Sequence, residues 1–182
     1  MSGLRFRASC FEPNANSFIH TTHSRATITV LRRKCLACPY FVPREIVNDG
    51  SWLHPSRLPL GAGWSGRCCA SGHETTPSDS AIRDLCNLGN ATGCPHLPRE
   101  HDWDAIRFSV AHTNSDQITL WYVCELAHAP IEHGKLSFDC AEGRWLNPHA
   151  DARVQRLAAC YMETYRSRQS AGQRVGDGVA DS

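Results

Sequence analysis

The chain has almost no net charge. Lysine and arginine number 19 against 18 acidic residues over 182 positions, so the composition makes no electrostatic case for a nucleic-acid partner. No apolar run approaches the roughly 20 residues that cross a bilayer. The first residues lack the apolar core of about 7–15 residues that marks a secretory signal. These absences lead to the expectation of a soluble, cytoplasmic protein without membrane contact. No internal repeat is present, and the length suits one domain with tails, large enough for a true core.

Cysteine, by contrast, is plentiful, with ten in the chain. In a reducing compartment that number reads as ligands, redox groups or buried thiols before structural disulfides.

The chain divides into segments of different character. Residues 1–34 hold Arg5, Arg7, Arg25, Arg32, Arg33 and Lys34 against Glu12 alone. That segment resembles a transit peptide in composition. It is read here as a basic, weakly ordered extension ending in a short strand, Thr27 to Leu31, with contact to an acidic partner left open. Residues 35–168 form a single Cys-rich domain. Within it, residues 35–104 are punctuated by seven prolines, among them Pro39, Pro43 and Pro95, and by seven glycines, so long regular elements are not expected. A short turn capped by Ser78 or Asp79 and running from Ile82 to Leu85 is the exception. So long an irregular stretch is uncommon in a compact domain, and a bound metal could order it.

From residue 105 the pattern alternates. Ala105 to Ala111, Gln117 to Cys124 and Lys135 to Cys140 read as three antiparallel strands. Asn114-Ser115-Asp116 forms the first turn, and Ala127 to Gly134 a longer loop. Ile118, Leu120, Tyr122 and Cys124 share one face of the second strand. Asn147, Pro148 and Asp151 signal a helix start, followed by an apolar stripe of Val154, Leu157, Ala158, Tyr161, Met162 and Tyr165. Residues 169–182, small and polar, read as a disordered tail. The fold class is therefore α+β: an irregular, metal-organised N-terminal half, a three-stranded meander and one C-terminal helix.

The cysteines divide along the same boundary. Cys124, Cys140 and Cys160 fall in regular elements and read as core thiols. Cys35, Cys38, Cys68, Cys69, Cys86 and Cys94 all fall in the irregular region. Two thiolates two residues apart, such as Cys35 and Cys38, can reach one centre from a single turn. Only one such tight pair exists, whereas zinc ribbons usually offer two. Proline follows Cys38 and Cys94, as it follows a ligand cysteine in bacterial ferredoxins. A [4Fe–4S] cluster is therefore the expected cofactor, with zinc as the alternative; Cys35 and Cys38 are its first expected ligands, and Cys86, Cys94 and Cys68 or Cys69 compete for the remaining places. His54, His73 and His96 could each replace a thiolate, His96 best placed of the three.

The order Cys35-x2-Cys38, a long gap, then Cys69-x16-Cys86 resembles the cluster-ligand spacing of the iron–sulfur uracil-DNA glycosylases. The resemblance covers cysteine spacing alone and implies a [4Fe–4S] cluster. No catalytic motif or α/β pattern of that family is present, so it implies no glycosylase activity.

Other functional classes stay open. A structural zinc-binding interaction module would present Trp52, Trp64 or the basic arm to a protein partner, and a cluster protein would meet a redox partner. A thioredoxin-like thiol–disulfide protein would use Cys35 and Cys38, but that chemistry needs a helix beginning at the first cysteine, which Pro39 and Pro43 oppose. An enzyme would draw on Glu100, His101 and Asp102, or on Asp104 beside them. His128, Glu132 and His133 form another candidate metal group. Gly61 to Gly66 spells GxGxxG, but Pro59 precedes it and two cysteines follow, so dinucleotide binding is not expected.

Overall fold

The computed structural model describes residues 36–89 and 91–176. The basic extension, its expected strand and Cys35 lie outside the described residues.

The second half of the chain folds as its alternation predicts, with one more strand. β3 (Ala105–Thr113), β4 (Gln117–Leu126), β5 (Ala129–Asp139) and β6 (Arg144–Trp145) form an antiparallel sheet in the order β3-β4-β5-β6. The meander therefore has four strands rather than three. Ile118, Leu120 and Cys124 are buried on its inner face, and Trp121 is exposed on the other. Asn114 closes the first turn by accepting from the amides of Asp116 and Gln117 at 3.0 and 2.7 Å. The expected long loop after β4 is instead a two-residue turn, with Leu126 paired to Ala129. Ala127 and His128 both take positive φ, 49° and 67°, as a type I′ hairpin turn requires. The buried Asp104 holds this turn by accepting from the Ala127 amide at 2.9 Å.

The first half contains regular structure that the prolines conceal. β1 (Phe41–Ile46) pairs antiparallel with β2 (Trp64–Cys68). Pro43 lies opposite Gly66, beside a register shift. Proline is tolerated there because an irregular edge needs no N–H from it. Its carbonyl is taken by Arg156 at 2.7 and 3.1 Å. The expected cap at Ser78 forms: its hydroxyl accepts from the Ala81 amide at 3.3 Å. α1 (Asp79–Ala81) then widens into a π-turn over Ile82–Cys86.

α2 (Ala152–Gly176) packs against β1 and β3 and contributes to the main core. It begins at Asp151, whose carboxylate accepts from the Arg153 amide at 2.7 Å. Asn147, the expected cap, is used elsewhere: it accepts from the Ser137 amide at 2.6 Å and donates to the Lys135 carbonyl at 2.9 Å, fixing the chain to β5. The helix also runs past residue 168 to Gly176, covering part of the expected tail. Its apolar stripe (Val154, Leu157 and Ala158) joins Phe41 and Trp64 of the first half to Ile106, Phe108 and Leu136 of the second in one core. No helix among the described residues is long and apolar enough to cross a membrane.

Candidate metal centre

Three separate pieces of chain bring cysteines to one place, each by an identifiable contact. The first is the turn at Cys38. Ala37 forms an antiparallel bridge with Ile106 of β3, which fixes the start of the turn. The Phe41 amide donates back to the Cys38 carbonyl at 3.3 Å. The amides of Tyr40 and Phe41 also point at the Cys38 sulfur, the arrangement by which backbone N–H groups stabilise metal-bound thiolates. Residues 36–40 thus form a bridge and turn rather than the opening of a redox helix.

The second piece is the end of β2. Cys68 pairs with Phe41, and its thiol is near enough to that of Cys38 to act on it electrostatically. The Ala70 amide donates to the Cys68 sulfur at 3.4 Å. Successive residues of an extended chain point to opposite sides, so Cys69 is directed away from Cys68. Its amide donates to the Tyr40 carbonyl at 2.8 Å, and its thiol lies within reach of the charges of Arg153 and Asp151.

The third piece is the loop from Cys86 to Cys94. Asn87, buried just after the π-turn, grips the backbone of Trp64 from both sides. Its Oδ1 accepts from the Trp64 amide and its Nδ2 donates to the Trp64 carbonyl, both at 2.9 Å. The same Nδ2 reaches the Ile82 carbonyl at 3.1 Å. This amide serves as a strand-like partner for the start of β2 and brings Cys86 towards Cys68. Two residues on, Gly89 has φ of +64°, and a Cβ there would lie 1.9 Å from the Leu36 carbonyl oxygen. Only glycine allows the loop to approach the Cys38 turn so closely.

Cys38, Cys68, Cys86 and Cys94 consequently line one cavity of about 240 Å³. Phe41 and the buried Ala70 and Ala91 complete its floor, and the exposed His73 and His96 stand at its rim. The two imidazole rings are 4.0 Å apart between centroids. Among the described residues, no three His, Cys, Asp or Glu side chains already close on a single point as an ion site. The thiols border a shared void instead.

The electrostatics of this void are unfavourable to bare thiolates. The Cys38 thiol is raised to about 12, chiefly by burial, with the Tyr40 and Phe41 amides opposing the rise and Cys86 and Cys68 adding to it. Cys86 is likewise raised to about 12, by burial and then by Cys94 and Cys68. A cation placed among them would reverse that balance. An attacking redox thiol needs the opposite direction of shift.

Of the other candidates, none assembles a site. His54 is absent from the cavity. His101 Nδ1 lies 2.7 Å from the Pro98 carbonyl, Asp102 faces Arg153 at 3.6 Å, and Asp104 holds the hairpin turn. Glu132 and His133 are neighbours on β5 and point to opposite faces. Glu132 accepts from the Tyr122 hydroxyl at 3.0 Å and meets His149 Nε2 at 2.9 Å. His149 Nδ1 accepts from the Asp151 amide, so Nε2 carries the proton and donates; this holds the Glu132 carboxyl below its usual range. The group ties the α2 start to the sheet. Trp64 is fully buried and cannot be presented to a partner, and the Trp52 ring covers Gly63. The GxGxxG match reflects packing: a Cβ on Gly63 would meet that ring at 2.0 Å. Cys124 and Cys160 are core thiols as expected, while Cys140 is half-buried.

Asn87 and Gly89 are the site residues that sequence reasoning missed. An Asn and a Gly between two candidate ligand cysteines were visible, but the backbone each one meets lies more than twenty residues away. No protein-family model, curated protein or solved structure matches this chain.

Proposed function

We propose that this chain is a metal-centre protein that holds a [4Fe–4S] cluster through Cys38, Cys68, Cys86 and Cys94. The observation that carries the reading is the convergence of these four thiols, from three separate segments, on one cavity. Backbone amides aimed at the sulfurs of Cys38 and Cys68 support it. The size of the void favours a cluster over a single ion. Four thiolates around zinc sit about 2.3 Å from the metal and close over it, whereas here they border about 240 Å³. The rim is exposed at His73 and His96 and half-exposed at Cys94, so a bound centre would reach solvent. That suits electron exchange or sensing better than a purely structural staple. Metal binding would displace the protons of the raised Cys38 and Cys86 thiols, so affinity should increase with pH through neutrality and beyond.

Structural zinc is the second reading, favoured by the two imidazoles at the rim, which could complete a mixed Cys and His set. Single Cys→Ser replacements test the ligand set. With each of Cys38, Cys68, Cys86 and Cys94 replaced, the full chain purified anaerobically should lose its visible absorption and its iron. Cys69→Ser should retain both. Retention of the centre in Cys86→Ser, or its loss in Cys69→Ser, would refute this assignment.

A further inference from the structure

The thiols of the cavity come from two parts of the fold. Cys38 lies in the turn that leads into β1 and Cys68 at the end of β2, and pairing of Phe41 with Cys68 joins the two segments. Cys86 and Cys94 belong to the loop that follows α1. The loop is fastened to the sheet by the Asn87 amide on Trp64 and by the backbone approach of Gly89 to Leu36. Trp64 itself is fully buried in the main core, so Asn87 grips a fixed point. Its third contact, to the Ile82 carbonyl, also fixes the π-turn that carries Cys86. None of these contacts involves sulfur.

We propose that Asn87 and Gly89 are positioning residues that assemble the four-cysteine cradle before any metal arrives. The inference rests on the proposed ligand set and deepens it. A cluster would then enter a folded cradle through the rim at His73 and His96, and the metal would not be needed to fold the Cys-rich half. The four thiols are gathered by neutral hydrogen bonds and by a backbone fit that only glycine permits.

The test reconstitutes metal-free full-length protein anaerobically with ferrous iron and inorganic sulfide, then challenges it with an iron chelator. Asn87→Ala should lose iron about 10–100-fold more readily than the parent, the usual range for a residue that orients ligands. Asn87→Asp keeps an acceptor for the Trp64 amide but loses the donor to the Trp64 and Ile82 carbonyls, and should fall between the two. Gly89→Ala should resemble Asn87→Ala. Equal iron retention in all three variants, with the parent binding iron, would overturn the inference and leave the ligand set standing. A parent that takes up no iron would instead refute the ligand set. Amide hydrogen exchange on the metal-free parent covers the case of a variant that does not fold. The Trp64 amide and residues 86–89 should be as protected without metal as with it. Free exchange there, with the four-stranded sheet still protected, would overturn the proposal.

Discussion

In the four-stranded sheet, backbone groups satisfy one another along β3, β4 and β5, and side chains decide only which face is buried. In residues 36–104, many carbonyls are met by side chains sent from elsewhere. Arg156 takes Pro43, Thr164 Oγ1 takes Leu60 at 2.6 Å, Arg168 takes Gly61 at 3.2 Å and Asn87 takes Trp64. Three of these donors stand on α2. A segment rich in proline and glycine supplies only a short ladder of its own, so several of its acceptors are satisfied over long sequence separations. Order in the first half therefore depends on a helix that is made last in sequence.

This contrast can be broken at several points. The largest effect is expected at Leu157, fully buried where the two halves share one core. Leu157→Ala should destabilise the protein by about 2–5 kcal/mol, and denaturant unfolding should show both halves melting together. A transition confined to one half would separate what the shared core joins.

A smaller, local effect is expected from the α2 donors. Thr164→Val removes a buried donor to Leu60, and Arg156→Ala removes a charged donor to Pro43. Each should cost about 1–3 kcal/mol. Hydrogen exchange should rise around residues 41–46 and 58–62 while β4 stays protected. Equal loosening of β4 would contradict the division of labour.

Alkaline pH offers a third probe, in metal-free protein. Thiols raised to about 12 at Cys38, Cys86 and Cys124 favour the fold while neutral in both states. The unfolded chain ionises first, from an ordinary thiol value of about 8.5. Stability should therefore be fully present below pH ~8.5 and fall progressively as pH rises towards about 12. A thermal melt series should show this decline, and it should be reduced in Cys86→Ser.

The smallest effect is expected on the open face of the sheet. Lys135 stands 4.6 Å from the exposed Trp121 ring. Lys135→Ala should change stability by no more than about 0.5–1 kcal/mol, the range for an exposed cation–π pair.

The same contrast explains what could be read from the sequence. Strict alternation in Gln117 to Cys124 revealed β4 and its buried face, because such a strand is specified by its own residues. The β1–β2 pair stayed hidden behind Pro43 and Gly66, since the bulge and the Arg156 contact that accommodate them are tertiary. The turn at Ala127 and His128 carries no Asn-Gly signal, and its support comes from Asp104, over twenty residues away. The helix start expected at Asn147 and Pro148 moves to Asp151 because β5 claims Asn147. At the candidate site, the cysteine spacing drew attention to the segments whose thiols line the cavity. Choosing Cys68 over Cys69 required the β-strand register, and recognising Asn87 and Gly89 required knowing which backbone lay opposite.

The account stands most directly on the content of the cavity. The full chain, purified without oxygen, should be analysed for iron, acid-labile sulfide and zinc alongside its visible spectrum. Iron and sulfide in equal amounts, with coloured protein that bleaches when Cys86 is replaced by serine, is the predicted result. A colourless protein holding one zinc per chain, or no metal at all, would contradict it.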